Sequence, residues 1–357
     1  MTLFPQASAV LLVTLRTLAI GAAGGYAFHA LGFPAAWLAG PMIVVAAAVL
    51  SGMSANVPSR LRDLLFVVLG LTMGSGVTPE TVERVGEWPV TMAFIIVAVV
   101  AILLATYVYQ RRIAGWDRET AYFAAIPGAL SYVMALTLDY PRANVLRVAA
   151  SQSLRVFLLV AVLPMVVTGS EGGLHEVVRT SVPMAPLALA LLLAAGLAAG
   201  AATQRLGVPA GWLTGPFVLS AVLNASGLVA VSLPDWLSIP ALIGLGSVIG
   251  CRFSGVTPME LVRMLGVCLG AFAVGMSISV VVCVVIWATL GLPFGQLLLA
   301  YAPGGLEAMT LLAYLLDLDP AFVAAHQLAR YMGMVLILPL VTRRVLGPPS
   351  RKPASRS

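Results

Sequence analysis

Charged residues are scarce in this chain. Only 10% of its 357 residues are charged, whereas 60% are apolar, and the mean hydropathy is +1.01. A soluble domain carries about 25% charged residues, so this composition excludes a soluble domain of this length. Apolar runs of about 20 residues, long enough to span a bilayer as a helix, occupy 9–30, 89–109, 145–167, 184–202, 265–290 and 322–341. These runs predict an all-α polytopic membrane protein surrounded by the lipid bilayer.

Cysteine and histidine are also scarce, with three residues of each. The cysteines show no close pair spacing, which argues against a disulfide framework or a cysteine-based metal site. His29, His175 and His326 are far apart in sequence, and nothing resembles a His-x-His pair or a facial triad of metal ligands. The sequence therefore predicts no metal, no cofactor and no enzymatic activity.

Two further signals are missing from the chain. Residues 1–8 carry no charge and the apolar run after them has full length, which predicts a retained first helix in place of a cleaved signal peptide. The longest polar stretches are 169–183 and 346–357, and the second, rich in Pro, Ser and Arg, is expected to be a disordered cytoplasmic tail. Because no basic folded element is present, no nucleic-acid partner is predicted.

What the chain does contain is a duplication of about 175 residues. Four landmarks return in the same order, at offsets of 175 to 179 residues. They are Pro-x-x-Trp-Leu-x-Gly-Pro at 34–41 and 209–216, Gly-Val-Thr-Pro at 76–79 and 255–258, Pro-Gly-x-Leu at 127–130 and 303–306, and Gln-x-x-Arg at 152–155 and 327–330. This agreement predicts two homologous membrane repeats, 1–168 and 184–345, joined by the loop 169–183. Function is expected where the repeats meet.

The basic residues separate two topologies for these repeats. Each repeat contains six apolar segments, of which the fifth, at 120–138 or 296–316, is broken by Pro-Gly. A fifth segment that crosses the membrane gives parallel repeats with six spans each, whereas one that enters and returns gives inverted repeats with five crossings each. Lys and Arg concentrate on the cytoplasmic side, and of the 17 outside the spans the inverted model places 15 inside and the parallel model 11. Inverted repeats with cytoplasmic termini are therefore favoured.

The two Gln-x-x-Arg motifs place a charge in the membrane. Arg155 and Arg330 lie about ten residues into their spans, at a depth where an unpaired guanidinium costs from ~3 to more than 10 kcal/mol. Gln152 and Gln327 lie one helical turn earlier on the same face. Two interpretations are open: a substrate or coupling site in which Arg binds a carboxylate or phosphate-like group, or a structural role in which Arg binds carbonyls freed at the nearby break.

The Pro-Gly breaks predict a cavity at the middle of the membrane. Proline removes a helical hydrogen bond and glycine permits turns, so backbone polar groups become free there, which only a buried or wet cavity tolerates. Secondary transporters build their binding sites from such broken helices. The alternative is a simple packing kink or hinge. The residues predicted to line the cavity are Pro127, Gly128, Pro303, Gly304 and Gly305.

The two copies differ in their titratable groups. Glu307 follows the second break where the first copy has Ser131, and His326 precedes Gln327 where the first copy has Ser151. Glu307 is a candidate proton carrier or cation ligand, against the alternative of a static ion pair with Arg330. His326 is a candidate member of a proton relay, against the alternative of a hydrogen-bonded core histidine.

The first landmark has two possible roles. Its tryptophans are placed as membrane-interface anchors, or its Gly-Pro pairs make a second set of helix interruptions. The residues concerned are Trp37, Gly40, Pro41, Trp212, Gly215 and Pro216.

Together the landmarks resemble the AbrB-duplication family of Gram-negative inner-membrane proteins, over residues 10–345. That resemblance implies a multi-pass protein of the cell inner membrane, and the family carries two labels, regulator of gene expression and ammonia monooxygenase. By architecture the chain is also similar to cation/proton antiporters and bile-acid symporters, which are inverted-repeat transporters.

These features favour a secondary transporter that works by alternating access. Its unknown small-molecule substrate is expected to be an organic anion, because of the two buried arginines, and Glu307 allows coupling to protons. The alternative is a membrane protein with an indirect role in the regulation of gene expression. A homo-oligomer is compatible with the sequence.

Overall fold

The computed structural model describes residues 4–128, 130–170, 184–227, 229 and 231–348. Residues 171–183 and 349–357 lie outside the described part, and with them most of the predicted inter-repeat loop and tail. Over the described residues the chain is helical and contains no strand. The predicted all-α class is thus confirmed.

The helices of the first half are α1 (Phe4–Ala30), α2 (Ala36–Leu50), α3 (Ser59–Gly74), α4 (Pro79–Glu83), α5 (Trp88–Val108), α6 (Arg118–Ala125), α7 (Leu130–Thr137) and α8 (Val145–Ser170). Those of the second half are α9 (Pro186–Arg205), α10 (Gly211–Ala225), α11 (Asp235–Cys251), α12 (Pro258–Leu290), α13 (Phe294–Tyr301), α14 (Leu306–Leu315) and α15 (Pro320–Leu346). A short 3₁₀ turn precedes α5, and a π-helical turn, Tyr109–Ile113, follows it.

Six helices are long and apolar enough to cross a membrane, namely α1, α5, α8, α9, α12 and α15. They coincide with the six apolar runs of the sequence, so that prediction is confirmed. Four shorter helices, α2, α3, α10 and α11, have 15 to 17 residues and bury about half of their side chains or more. At 1.5 Å per residue each is about 22 to 26 Å long, and together they form much of the centre of the molecule.

The short helices pack crosswise between the two halves, α2 against α11 and α3 against α10. Glycines permit the close approach. A β-carbon at Gly250 of α11 would lie 2.8 Å from the carbonyl oxygen of Met42, and one at Gly74 of α3 would lie 2.8 Å from the backbone nitrogen of Ala221. Such small-residue contacts let helix backbones approach where side chains would hold them apart. The halves are therefore joined along both pairs.

The fifth segment of the first half returns to the face at which it begins. Thr120 Oγ1, in the first turn of α6, accepts a hydrogen bond of 2.8 Å from the backbone nitrogen of Asn144, and Glu119 accepts one of 3.1 Å from Arg142 N. Helices α6 and α7, of eight residues each, are about 12 Å long. The segment is therefore a helical hairpin, which decides the question that its length left open.

Helices α8 and α15, which carry the Gln-x-x-Arg motifs, run in opposite directions. Arg118 donates a hydrogen bond to the carbonyl oxygen of Val345, and the Tyr140 hydroxyl donates one of 3.0 Å to that of Gly347. Helix α8 therefore begins on the face where α15 ends. We call this side, formed by residues 118–120, 140–145 and 345–347, the C-terminal face.

Candidate functional site

The two Pro-Gly breaks meet at the centre of the molecule. A β-carbon at Gly128 would lie 3.3 Å from the carbonyl oxygen of Gly304 and 3.6 Å from Nη2 of Arg330. On either side the chain leaves helical geometry in the same way, because Ile126 and Ala302 adopt extended backbone angles after α6 and α13. The last carbonyls of these two helices thus lose their helical partners.

Arg155 binds carbonyls at the first break. Its Nη1 donates to the oxygen of Ile126 at 3.1 Å and its Nη2 to that of Ala124 at 2.7 Å. Gln152, on the same face of α8, donates to the oxygen of Phe123 at 3.2 Å. Arg155 is buried, and its charge is stabilised by these carbonyl dipoles.

Arg330 makes the corresponding contacts at the second break. Its Nη1 donates to the oxygen of Ala302 at 2.6 Å, and its Nη2 donates to the oxygens of Gly304 and Gln327. Gln327 donates to Leu299 O at 2.9 Å. Both motifs therefore make the carbonyl contacts that the structural interpretation of the sequence requires. Arg330 Nε is buried without a partner in the described part of the chain.

A cavity of about 160 Å³ lies beside the breaks. It is lined by Gly128, Leu130, Gln152, Arg155, Val156, Pro209, Ala210, Arg252, Pro303, Gly305, Leu306, Glu307 and Tyr331. These residues come from α7, α8, α14 and α15, from the loops before α7, α10 and α14, and from the end of α11, so both halves contribute. Two guanidiniums and one carboxylate face this space.

The structure divides the predicted site residues into two groups. Gly128, Gln152, Arg155, Pro303, Gly305 and Glu307 line the cavity. The other predicted residues of the motifs and breaks do not line it, namely Pro127, Gly304, His326, Gln327 and Arg330. Gln327 and Arg330 are enclosed by the second break and are only 1% and 5% exposed. The two Gln-x-x-Arg motifs are thus equivalent in their contacts and different in their access to the cavity.

His326 lies in the core, away from the cavity. Its Nε2 is 2.8 Å from Oγ1 of Thr91 and its Nδ1 is 2.8 Å from the carbonyl oxygen of Phe322, whose ring stacks on the imidazole at 4.0 Å. The side chain is fully buried. Because both ring nitrogens are occupied, this environment matches the hydrogen-bonded core histidine considered above, and the contact ties α5 to α15.

Glu307 lies in the first turn of α14, partly buried. A carboxylate is favourable at this end of a helix dipole. No ion pair with Arg330 occurs, and the salt bridge within the described residues is Arg62–Asp63 at 3.0 Å. The static pair that was the alternative role for Glu307 is therefore wrong. The side chain of its counterpart, Ser131, lies outside the described residues.

Arg252 and Tyr331 line the cavity and were not predicted. Sequence reasoning counted Arg252 as a loop charge. The signal was available in the duplication. The offset between the copies is 176 at Gly74 and Gly250, which pack alike, and 179 at Gly-Val-Thr-Pro, so Arg252 lies in a three-residue insertion of the second copy. Aligned on Gln-x-x-Arg, Tyr331 stands opposite Val156.

The first landmark packs helices, and most of its residues do not line the cavity. A β-carbon at Gly25 would lie 2.9 Å from the Trp37 ring, and one at Gly200 would lie 2.9 Å from the Trp212 ring. Helices α2 and α10 continue through Pro41 and Pro216. Gly40 and Gly215 face backbone atoms of α1 and α9. Only Pro209 and Ala210, from the start of the second copy, reach the cavity.

Comparison with known proteins places the chain in a family. The family model described as "Transition state regulatory protein AbrB" matches residues 37–346. The chain belongs to the AbrB family. The protein of Escherichia coli (strain K12) named "Putative regulator AbrB" is 25% identical over 321 residues, covering 88% of this chain and 91% of that protein. The Bacillus subtilis (strain 168) "Uncharacterized protein YhjN" is 26% identical over 362 residues, covering 92% of each. No solved structure matches the chain.

Proposed function

We propose that this AbrB-family protein is a secondary transporter that carries a small organic anion by alternating access, with proton coupling. The observation that carries the proposal is the cavity at the two helix breaks. Arg155 and Arg252 outweigh Glu307 there by one positive charge. An excess of buried positive charge favours an anionic ligand.

The arrangement of the halves supports alternating access. Helices α8 and α15 run in opposite directions, and the two breaks meet between them. Broken helices that meet near the midplane between inverted repeats are the common site architecture of secondary transporters. We therefore place the pivot of the motion at the contact of Gly128 with Gly304.

Uptake by the purified protein in proteoliposomes tests the transport function. The substrate candidates come from the metabolites that differ between a deletion strain and its parent. Arg155→Lys keeps the charge and loses the planar fork, so we expect uptake to fall about 10-fold or more, as for loss of charge-assisted hydrogen bonds. Arg263→Lys, on the exposed face of α12, is the matched control. Unchanged uptake in Arg155→Lys would show that this arginine is purely structural.

An indirect regulatory role is the second candidate, because the family description and the E. coli relative carry a regulator name. Removal of residues 349–357 tests whether the tail signals. The deletion begins after Pro348 because Gly347 O accepts the Tyr140 hydrogen bond. Loss of a gene-expression effect with intact protein level and intact uptake would favour the regulatory role.

The absence of enzymatic activity also belongs to the proposal. Within the described residues no three His, Cys, Asp or Glu side chains lie close enough to share a metal ion. Mass spectrometry of the purified protein is the test, and stoichiometric copper or iron would return the monooxygenase label to consideration.

A further inference from the structure

Arg252 differs from the other two buried arginines in having free donors. Arg155 and Arg330 each use both terminal nitrogens on carbonyl oxygens of the breaks. The side chain of Arg252 makes no hydrogen bond or ion pair with any described residue, although it is partly buried and lines the cavity. A guanidinium offers five N–H donors in a planar fork. Of the arginines at the breaks, Arg252 is therefore the one whose donors are all available to a ligand.

Glu307 is the carboxylate that shares this cavity, and it too has no hydrogen-bonding partner among the described residues. The charges of Arg252 and Glu307 interact across the space without forming a direct salt bridge. Three other polar residues line the cavity with Glu307 and Arg252: Arg155 on α8, Gln152 on α8 and Tyr331 on α15. Arg62 on α3 adds a repulsive charge to Arg252. The pair thus has room between its members for a third group.

We propose that Arg252 is the anion-binding group of the cavity and that the carboxylate of the substrate binds to it while Glu307 takes up a proton. This inference rests on the proposed transport function and supplies its coupling step. Two carboxylates close to one guanidinium repel each other, so that one of them is neutralised by a proton. Arg252 gains N–H···O bonds to the substrate carboxylate, and one proton passes from water to Glu307, so one anion and one proton enter the cavity together and charge and atoms balance.

The size of the cavity limits the ligand. A cavity of 160 Å³ is close to that of an engineered cavity of about 150 Å³ that holds benzene. A ligand of about six non-hydrogen atoms therefore fits, which points to a small monocarboxylate. The net charge of the cavity agrees, since with Glu307 protonated one bound anion leaves the two guanidiniums with the same excess of one positive charge as in the empty cavity.

The duplication places this exchange in one half only. Arg252 lies in a three-residue insertion that the first half lacks, and the position that corresponds to Glu307 holds Ser131. Each chain therefore has a single exchangeable pair, which gives a ratio of about one proton for each monocarboxylate.

Calorimetric titration of the purified full-length protein with acetate, propionate, lactate and benzoate tests the exchange, with lactamide as the uncharged control. Titrations in two buffers that differ in ionisation enthalpy give the number of protons taken up. We expect one or more of the carboxylates to bind with uptake of about one proton, and lactamide to bind much more weakly. If none of the four carboxylates binds at millimolar concentration, the assignment is wrong.

Two variants separate the roles. Arg252→Met, which removes the guanidinium and keeps a long side chain, should weaken carboxylate binding by about 10- to 100-fold, the loss expected for charge-assisted hydrogen bonds. Glu307→Gln should keep binding and lose the proton uptake. Arg263→Gln removes an equal charge from an exposed position and should change neither. Wild-type affinity in Arg252→Met, or unchanged proton uptake in Glu307→Gln, would overturn the exchange.

The outcome is distinguishable from failure of the transport proposal. Binding with proton uptake but without substrate movement in proteoliposomes would leave the exchange intact and remove the transport function. Uptake that is unaffected by Arg252→Met would leave the transport function intact and exclude the exchange at Arg252. If Arg252→Met does not fold, as judged by gel filtration, the proton count of Glu307→Gln still decides the question.

Discussion

Arg330 is the residue on which the second break most depends. Its terminal nitrogens bind Ala302 O, Gly304 O and Gln327 Oε1 at once, whereas Arg155 has two carbonyl partners and faces the cavity. A lysine keeps the charge but, as a point donor, cannot bind these separated oxygens together. Buried carbonyls that lose a partner cost about 1–3 kcal/mol each.

We therefore expect Arg330→Lys to lower stability by about 1–3 kcal/mol, and to lower it more than Arg155→Lys does. Thermal unfolding of both variants in detergent measures the difference, with Arg263→Lys on the exposed face of α12 as the control. Equal melting temperatures for Arg330→Lys and the wild type would show that the carbonyls find other donors.

The residues of the site were only partly predictable, for a physical reason. Arg155 and Glu307 can be recognised in the sequence, because a charge in an apolar run is energetically costly and therefore indicates a specific role. Arg252 follows directly after α11 and looks like an ordinary loop charge until the fold places it beside the break. The Thr91 partner of His326 is 235 positions away in sequence, and no local pattern encodes such a contact.

At the scale of the elements, the first break depends on Gly128. This residue has a φ of +93°, in the region that favours glycine, and its α-carbon approaches Gly304 closely. Gly128→Ala would strain the backbone by about 1–3 kcal/mol and would bring a methyl group to 3.3 Å from the carbonyl oxygen of Gly304. We expect lower stability and, because the pivot is displaced, lower uptake.

Gly333→Ala is the matched control for this change. Gly333 lies within α15, and an added β-carbon would meet nothing within 4 Å. Alanine is favoured over glycine in helices by about 1 kcal/mol, so this variant should be as stable as the wild type or more stable. Thermal unfolding and uptake are measured on both variants, and a Gly128→Ala protein that matches Gly333→Ala in both would exclude a special role for the break.

The long helices could be predicted from the sequence, whereas the path of the segments broken by Pro-Gly could not. The six long helices follow from apolar runs whose length matches the bilayer. A segment of about 20 residues fits both a broken span and a hairpin, so length could not choose between them for 120–138. The choice is made by the hydrogen bonds of Thr120 and Glu119 to the chain before α8, which are tertiary contacts.

At the scale of the whole molecule, the cavity lies on the side of the C-terminal face. Helix α3 ends near Pro320, at the start of α15, and therefore on the face opposite the C-terminal face. Helix α10 runs parallel to α3, because Gly70 and Gly74 of α3 approach Leu213 and Phe217 of α10 in the same order. Ala210, at the start of α10, therefore lies toward the C-terminal face, and it lines the cavity. The counterparts of Pro209 and Ala210 in the first half, Pro34 and Ala35, do not line it. The conformation is thus the one that we expect to open toward this face.

This arrangement makes a topological prediction that separates inverted from parallel halves. Ile113 precedes the hairpin of the first half and Leu138 follows it, and both side chains are largely exposed, at 75% and 73%. Because the hairpin returns to the face where it begins, cysteines introduced at 113 and 138 should react with a membrane-impermeant maleimide from the same side. A crossing segment would place them on opposite sides of the membrane. Pro293, exposed after α12, is expected on the other side, because α12 runs antiparallel to α5, with Gly270 near Tyr109 and Gly275 near Ile102.

The labelling is done in inside-out and right-side-out vesicles of a variant in which the three native cysteines are replaced. Two of these, Cys268 and Cys283, are buried and should contribute little background even when present. The enrichment of basic residues on the cytoplasmic side of membranes predicts that the side of Arg111, Arg112 and Arg118 is cytoplasmic. We therefore expect cysteine at 113 and at 138 to react in the inside-out vesicles only, and cysteine at 293 in the right-side-out vesicles only. Reaction of 113 and 138 in opposite vesicle types would restore the parallel model. It would also remove the basis for alternating access between inverted halves, because α8 and α15 would then cross the membrane in the same direction.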